Sequence, residues 1–345
     1  MLSSTSFKKE LSILEEEAVT YWVEFFAAAA DFGTSPDKHT GEEVMGAKRY
    51  SNTLKGICTA YSRTQNEQYL IVATKAKDFI LENFLDNKYG GIHYTLTKTR
   101  ERCSTDKKLS SQAACLSALA TYVAAFKNEN VLNYAVGIFK TIEKDLKDER
   151  LGGYFNAADR SFQDIINPAK KLKGHILLLD AYVDLYKVYP QTALREAIIN
   201  LIDLIIGKFL SESVIPYEFN DDWSETSAKK ACPALVYNTC GSILKAAFAV
   251  GSFSVVERVR EAVAPLVKAC DENSNIDADK LTYKHGIVPV NVITGAIVAW
   301  KYLGDAKAIE VIEKTWNAFK PQTKAIYTEC PCAVMKLSKW VFEEI

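Results

Sequence analysis

The sequence lacks the features that mark membrane, secreted or nucleic-acid-binding proteins. Its first ten residues contain no apolar core of signal-peptide length, and no stretch approaches the roughly eighteen uncharged apolar residues of a membrane-spanning helix. The 42 Lys and Arg residues offset 43 Asp and Glu residues, giving a formal net charge of −1, which disfavours a nucleic-acid-binding surface or a polybasic membrane patch. We therefore expect a soluble, cytoplasmic protein that binds neither nucleic acid nor membrane.

The chain also has no Pro-, Gly- or Ser-rich linker and no shift in composition that would mark a domain boundary. Although 345 residues exceed the usual size of one domain, closed helical toroids reach this length as one unit. We predict a single domain over residues 1–345 and leave its association into a homodimer open. The eight cysteines are spread along the chain and only Cys330 and Cys332 are closely spaced, so we expect reduced thiols and no zinc site.

One six-residue phrase occurs twice. Asp86-Asn87-Lys88-Tyr89-Gly90-Gly91 recurs further along the chain as Asp148-Glu149-Arg150-Leu151-Gly152-Gly153. In each copy a helix-like stretch precedes the phrase and a short run of β-forming residues follows it. Because a Gly pair adopts positive φ without steric cost, the phrase is typical of a tight reversal. We predict hairpins at residues 89–94 and 152–156, both at one mouth of the fold.

The spacing of apolar residues elsewhere predicts about twelve helices, paired with their neighbours through short turns. Strand-like runs are short, so we expect no sheet of four or more strands. The end stretches lack the polar outer face of a solenoid cap, which favours a closed barrel over an open solenoid. The pairs Lys107-Lys108, Lys170-Lys171 and Lys229-Lys230 are predicted to be solvated. The predicted helices cover residues 10–30, 43–64, 67–85, 108–127, 129–146, 171–188, 191–211, 233–250, 253–271, 289–303, 306–319 and 332–344.

Two further motifs follow the Gly-Gly phrases in a fixed order. They are a helical stretch that begins Leu177-Leu178-Leu179-Asp180-Ala181 and the loop Glu218-Phe219-Asn220-Asp221-Asp222-Trp223. Together with an aromatic first helix, this order resembles the N-acylglucosamine 2-epimerase superfamily, which includes cellobiose epimerases and aldose–ketose isomerases. The resemblance covers nearly the whole chain. It implies an all-α fold, an (α/α)6 barrel with the Gly-Gly hairpins at one mouth and a small-molecule site in the central cavity.

The resemblance also implies chemistry by histidines that move a proton next to a carbonyl group. The family's histidine positions fall on Leu177, on Gly241 and near Cys330-Pro331-Cys332, and its glutamate falls on Leu244. The whole sequence has only four histidines, at positions 39, 93, 175 and 285. We therefore predict that ordinary 2-epimerase activity is absent, with no exchange of the C2 hydrogen of N-acetylglucosamine, N-acetylmannosamine, mannose or cellobiose.

The substrate-binding candidates are the positions that the resemblance places around the cavity. Leu177, Gly241 and Leu244 stand where a sugar site needs polar groups, which favours a flatter or more apolar ligand. The position of the family's sugar-contacting arginine falls on Asn52. The candidates are Asn52, Leu177, Trp223, Tyr237, Asn238 and Leu244.

Two histidines are candidate proton-transfer groups. His175 lies two residues before the position of a family histidine, and His93 follows the first Gly-Gly pair at the expected rim of the cavity. Each also has a structural alternative. His175 can be a core or capping histidine bonded to a main-chain carbonyl, and His93 can be an exposed loop residue.

The remaining catalytic candidates are the loop carboxylates Glu218, Asp221 and Asp222. Three carboxylates within five residues repel one another unless they share a proton or hold a cation. The spacing Asp221-Asp222-x-x-Glu225 also resembles a diphosphate–Mg²⁺ motif of terpene cyclases. A purely structural loop is the alternative.

We interpret the chain as a divergent enzyme of this superfamily that acts on a small molecule by isomerase- or epimerase-like acid–base chemistry and needs no cofactor. Two alternatives stay open. One is a Mg²⁺-dependent cyclase or lyase of an apolar or prenyl-diphosphate substrate, with Asp221, Asp222 and Glu225 as metal ligands. The other is a catalytically silent binding or scaffold protein.

Overall fold

The computed structural model describes residues 5–29, 33–36, 41–210, 215–226, 231–272 and 287–319, together with residues 337 and 341. These residues form eleven α-helices, and short π-helical turns at Ile205–Phe209 and Ala299–Leu303 continue the seventh and the tenth. The helices are α1 Thr5–Ala29, α2 Ala47–Thr64, α3 Glu67–Asn83, α4 Leu109–Phe126, α5 Glu129–Asp145, α6 Leu172–Tyr186, α7 Thr192–Leu204, α8 Pro233–Val250, α9 Phe253–Glu272, α10 Ile287–Val298 and α11 Lys307–Phe319.

Most of these bounds agree with the predicted helices to within a few residues. The predicted helix at 332–344 lies almost entirely outside the described residues. The described residues divide into two compact units, one with residues 22–204 and 216–229 and the other with residues 1–21, 205–215 and 230–345. The single-domain assignment stays a prediction.

In the first unit the helices form two layers. Helices α2, α4 and α6 lie side by side as an inner layer, and α3, α5 and α7 each pack on the outside of the helix that precedes them. The same alternation recurs in the second unit, where α8 packs against α10, with α9 on α8 and α11 on α10.

The corners between inner and outer helices repeat as well. The residues that follow α2 and α4, Gln65 and Lys127, each have φ near +55°, the left-handed conformation that commonly terminates a helix. The next residue, Asn66 or Asn128, caps the outer helix by accepting a main-chain N–H with its side-chain oxygen. The chain therefore turns the same way at both corners.

Helix α4 lies between α2 and α6 and forms the core of the first unit. Its 18 residues carry no charge, and it is the one helix of the described residues that is long and apolar enough to span a membrane. Its interior position explains this composition, because 72% of it is buried within the protein. The prediction that no stretch approaches this length is therefore corrected.

Within the described ranges, eight strands of two to four residues lie between the helices. The first four form an antiparallel sheet in chain order, and the others form the two-stranded pairs β5–β6 and β7–β8. They are β1 Ser35–Pro36, β2 Glu43–Gly46, β3 Thr95–Thr97, β4 Arg102–Ser104, β5 Lys107–Lys108, β6 Ala157–Ala158, β7 Lys170–Lys171 and β8 Glu218–Phe219.

The expectation of no sheet with four or more strands is thus wrong. Residues 43–46, predicted as the start of a helix, are extended instead and bury Val44 and Met45 while pairing with β3. The whole of α2 and α3 separates these pairing partners along the chain, which puts them beyond the reach of a local pattern.

The two Gly-Gly phrases form matching turns, called Asp-turns here: Asp86–Gly91 and Asp148–Gly153. In each, the aspartate N–H donates to the oxygen of the second glycine and one carboxylate oxygen accepts two main-chain N–H groups of the turn. An isolated antiparallel bridge closes each turn, Leu85 with Ile92 and Lys147 with Tyr154. The predicted reversals are confirmed.

A buried lysine holds each Asp-turn against the start of an inner helix. Lys107 Nζ lies 3.1 Å from Asp86 Oδ2 and donates to Gly90 O at 2.7 Å, and Lys170 Nζ lies 2.7 Å from Asp148 Oδ2. Both lysine side chains are 0% exposed. The prediction that these lysines are solvated is wrong, because each has a partner in the Asp-turn that precedes it along the chain. Lys229 lies outside the described residues.

Replacing Lys170 by methionine should lower the free energy of unfolding by about 3 kcal/mol or more, because the buried Asp148 carboxylate loses its cation. Lys171→Met is the matched control. Lys171 is adjacent and half-exposed and lies 3.3 Å from Glu218, so its loss should cost less than about 1 kcal/mol. Urea unfolding followed by circular dichroism measures both variants. Equal losses would contradict the role of the buried pair.

Candidate functional site

The predicted acidic loop is one copy of a turn that the described residues use three times. The turns are Thr97–Arg100, Asp159–Phe162 and Asn220–Trp223, at nearly equal spacing along the chain. In each, the N–H of the fourth residue donates to the carbonyl oxygen of the first at 3.0 to 3.2 Å, and the fourth residue has φ between +62° and +67°. Its place in a repeated turn supports the structural interpretation of the acidic loop.

The carboxylates of this loop point to different partners. Glu218 lies 3.3 Å from Lys171 Nζ, while Asp222 accepts the Ser224 N–H at 2.9 Å. Hydrogen bonds from Ser224 lower the pKa of Asp222, the opposite of the rise expected for a shared proton. Asp221 is half-buried, and Glu225 is exposed while its main chain bridges to Phe219. In the part of the chain that the structure describes, no three His, Cys, Asp or Glu side chains are placed to hold a metal ion.

Trp223 covers the second Asp-turn. Its indole N–H donates to Leu151 O at 2.9 Å, and Lys170 Nζ lies 4.7 Å from the centre of its ring. Gly153 lies beneath the ring with φ of +82°, and a Cβ added there would be 2.7 Å from the indole. Glycine is therefore required at this position by both conformation and space.

His175 is bonded to the main chain through both ring nitrogens. Nε2 accepts the Tyr154 N–H at 3.1 Å and Nδ1 lies 2.8 Å from Lys171 O, which assigns the proton to Nδ1. The side chain is fully buried, and burial lowers its pKa to about 4. Gln112 does the same work at the first Asp-turn, accepting from and donating to Ile92 at 2.8 and 2.7 Å. The geometry matches the structural alternative for His175.

His93 is also fully buried, which rules out the exposed loop residue of the structural alternative. Its ring nitrogens have no hydrogen-bond partner among the described residues, and Nε2 lies 3.6 Å from Asp86 Oδ2. Burial, with the nearby Lys107, lowers the pKa of His93 to about 4.

Asp86 is already occupied by other donors. Lys107 and Arg160 approach Oδ2 at 3.1 and 2.8 Å. Burial alone would raise the pKa of Asp86, but the hydrogen bonds from Arg160 and Lys107 outweigh it and hold the pKa well below its usual range. The His93–Asp86 pair therefore has little capacity to accept a proton near neutral pH.

Lowering the pH from 7 to 5 should destabilise the protein. Both buried histidines have a pKa of about 4 in the fold, whereas the unfolded chain binds a proton near pH 6.5. Between these values the unfolded state holds more protons, so each histidine should lower the free energy of unfolding by up to about 2 kcal/mol from pH 7 to pH 5. Urea unfolding at a series of pH values measures this loss.

The variant His93→Gln separates the contribution of one histidine. Its free energy of unfolding should depend less steeply on pH than that of the natural protein between pH 7 and 5, whatever its absolute stability. The lowered pKa of Asp86 adds a loss only at pH values below about 4, outside this window. Identical pH dependence in the two proteins would contradict the buried, neutral state of His93.

The substrate-binding candidates fall in both compact units. Asn52 on α2 and Leu177 on α6 are half-buried residues of the inner layer. Tyr237, Asn238 and Leu244 are buried residues of α8 in the other unit. Within that unit α8 approaches α10 closely, since a Cβ added to Gly295 would lie 2.6 Å from Tyr237 Cβ. Gly241 also lies at this contact, 3.5 to 3.7 Å from α10 atoms when given a Cβ.

The inner layer carries a polar cluster that sequence reasoning missed. Lys55 Nζ on α2 lies 2.6 Å from both Ser117 Oγ on α4 and Asp184 Oδ2 on α6, and Ser117 Oγ donates to the same carboxylate oxygen at 2.6 Å. The lysine side chain is 25% exposed and the aspartate side chain 9% exposed. The ammonium group of a partly exposed lysine is thus held by one partner on α4 and one on α6.

The signal for this cluster is present in the sequence. Asn52, Lys55 and Thr59 lie at i, i+3 and i+7 of α2, and Asp180 and Asp184 lie at i and i+4 of α6, so each set shares one face of its helix. Four of the five are half-buried, and Asp184 is buried. An ammonium group, a hydroxyl and carboxylates on adjoining faces can donate to, and remove protons from, a small polar molecule.

A model of the family described as N-acylglucosamine 2-epimerase matches residues 54–234. The chain is similar to a cellobiose 2-epimerase from Bacteroides fragilis, with 23% identity over 338 residues that cover 89% of this chain and 85% of the relative.

Solved structures show the same likeness. The cellobiose 2-epimerase of Spirochaeta thermophila superposes with a TM-score of 0.79 and 17% identity, covering 90% of this chain and 84% of the other. A D-mannose isomerase superposes with a TM-score of 0.78 and 12% identity, covering 92% and 86%. These likenesses confirm the predicted fold class, all-α with the (α/α)6-barrel fold.

Proposed function

Because the chain belongs to the N-acylglucosamine 2-epimerase family, we propose that it is an isomerase- or epimerase-like enzyme acting on a small reducing sugar. Similar proteins are named cellobiose 2-epimerase and D-mannose isomerase. Epimerisation at C2 and aldose–ketose isomerisation share one step, the removal of a proton from a carbon next to a carbonyl group. Neither reaction requires a cofactor, and we propose none.

The observation that carries this proposal is the convergence of Lys55, Ser117 and Asp184 from three adjacent inner helices. A charged donor held in a partly buried place stabilises the negative oxygen that forms when the proton leaves. The resemblance implies that the family's histidines are replaced in this chain, so another set of inner-layer side chains has to handle the proton, and this cluster with Asp180 beside it on α6 offers an ammonium group and carboxylates.

The arrangement favours isomerisation over epimerisation. Inverting one carbon requires proton transfer at both faces of the intermediate, whereas aldose–ketose isomerisation can be run by one base that moves the proton between neighbouring carbons on one face. Contacts among Lys55, Ser117 and Asp184 join α2, α4 and α6 into a single cluster, and a single cluster serves one face of the intermediate. The cyclase alternative finds no support, since the loop carboxylates point to different partners and form no metal-binding group among the described residues.

Proton exchange in deuterated water tests the proposal. With D-fructose, D-tagatose or D-xylulose as probe, the protein should incorporate deuterium at C1 of at least one ketose and form the matching aldose, as followed by NMR. Cellobiose should show no exchange at C2. Absence of exchange with all three ketoses would contradict the isomerase and favour a binding protein, and exchange with cellobiose would instead indicate an ordinary 2-epimerase.

A further inference from the structure

The internal repeat places three polar residues at one level of the inner layer. Lys55, Ser117 and Asp180 occupy the same position counted from the first residue of their helix, α2, α4 and α6. Asp184 lies one turn further along α6, about 6 Å along its axis, on the same face as Asp180. The contacts at 2.6 Å that join Lys55 to Ser117 and Asp184 show that these helical faces meet.

The surroundings of Lys55 hold its ammonium group in one place. The side chain of Lys55 extends from α2 to partners on α4 and on α6, and the carboxylate of Asp184 accepts from Lys55 and Ser117 together. The Asp184 side chain is only 9% exposed, whereas that of Lys55 is 25% exposed. The carboxylate is therefore the more deeply buried member of the cluster, and Lys55 is the member with the larger exposure to solvent.

We propose, building on the function proposed above, that Lys55 is a catalytic residue that donates a hydrogen bond to the carbonyl oxygen of the sugar, with Asp180 as the base and with Ser117 and Asp184 as positioning residues. The substrate class is an α-hydroxycarbonyl compound. Its carbonyl oxygen can accept from Lys55 while the hydroxyl group on the adjacent carbon lies beside the same cluster.

The reaction is balanced without any additional reagent. Asp180 takes the proton from the carbon next to the carbonyl group, the C–H electron pair forms the C=C bond of an enediolate, and the carbonyl oxygen gains the negative charge facing Lys55. The hydroxyl group on the carbon that lost its hydrogen gives its proton to that oxygen, while Lys55 keeps its hydrogen bond to the oxygen. Asp180 then delivers its proton to the former carbonyl carbon, and the new C=O bond forms at the carbon that lost its hydrogen. The product is the isomeric aldose or ketose.

Variants of Lys55 test the catalytic role in the full-length protein. Lys55→Met should lower the rate constant for deuterium incorporation into the reactive ketose by about 100-fold or more, with a smaller change in KM, because the lost contact strengthens as the oxygen becomes charged. Lys55→Arg keeps the charge and should retain part of the rate. Lys75→Met, an exposed lysine of α3, is the matched control and should be unchanged.

Chemical rescue separates a catalytic effect from a folding defect. The variant Lys55→Cys, treated with 2-bromoethylamine, regains an ammonium group of nearly the original length and should recover at least about a tenth of the rate. The natural protein receives the same treatment, because other cysteines are also exposed. Circular dichroism confirms that each variant is folded. In addition, the reactive ketose should protect Lys55 of the natural protein from trinitrobenzenesulfonate, as measured by mass spectrometry.

The positioning residues have a separate readout. Asp184→Asn removes the anion beside the ammonium group, so the alkaline limb of the pH–rate profile should shift to lower pH, with a smaller loss of rate at neutral pH than in Lys55→Met. Ser117→Ala should lower the rate without moving that limb. A merely structural role for the cluster predicts lower stability with an unmoved pH profile.

The outcomes distinguish this inference from the function on which it rests. The role of Lys55 is overturned if the Lys55→Met variant keeps the exchange activity of the natural protein, or if the ketose does not change the labelling rate of Lys55. The proposed isomerase function is not contradicted by either result. Absence of exchange in the natural protein with D-fructose, D-tagatose and D-xylulose overturns both.

Discussion

The buried ion pair between an Asp-turn and the lysine that precedes an inner helix is the interaction on which the first unit depends. Asp148 and Lys170, like Asp86 and Lys107, lie 2.7 to 3.1 Å apart with almost no exposure to solvent. Burying two charges is costly, so such a pair contributes little beyond its own desolvation, yet neither charge can be lost alone. The pair therefore fixes where the turn lies relative to the helix.

Several other contacts follow from that placement. Once the turn is fixed, the chain after it presents main-chain groups to a side chain in the first turn of the helix that follows, Gln112 in one copy and His175 in the other. Aromatic residues in left-handed conformations then cover the lysines, Phe162 over Lys107 and Trp223 over Lys170. The low pKa of His175 is a consequence of this structural position, since burial between main-chain groups disfavours the charged ring.

Local patterns in the sequence predicted much of this fold. Helix bounds agree because apolar periodicity and Gly or Asn termini act within a few residues, and the Gly-Gly phrase identified both Asp-turns. Two of the errors share one physical cause, a partner that lies far away in the chain. Lys107 and Lys170 were expected in solvent because their aspartates belong to the preceding Asp-turns, and residues 43–46 were expected to be helical because β3 follows only after α2 and α3.

The candidate site was also hard to predict from local patterns, because its residues are distant from one another in the sequence. The carboxylates of the acidic loop are adjacent in sequence, which predicts a shared site, but side chains of adjacent turn residues readily point to different partners. Lys55, Ser117 and Asp184 lie far apart in the sequence, and only the packing of three helices brings them together. Positions 55, 117 and 180 align only when the inner helices are superposed at the first residues that the structure gives them.

The polar cluster is also costly in a way that favours a functional interpretation. A layer that only had to pack could carry small or apolar residues at this level, as α4 and α6 do one turn earlier at Ala114 and Leu177. A partly buried ion pair is a weak source of stability compared with well-packed apolar side chains of similar volume. Its side chains do, however, provide a fixed donor beside carboxylates on adjoining helical faces, which proton transfer next to a carbonyl group requires. The buried Asp–Lys pairs fix an Asp-turn at the start of α4 and of α6, and these are the helices that supply Ser117 and Asp184 to Lys55.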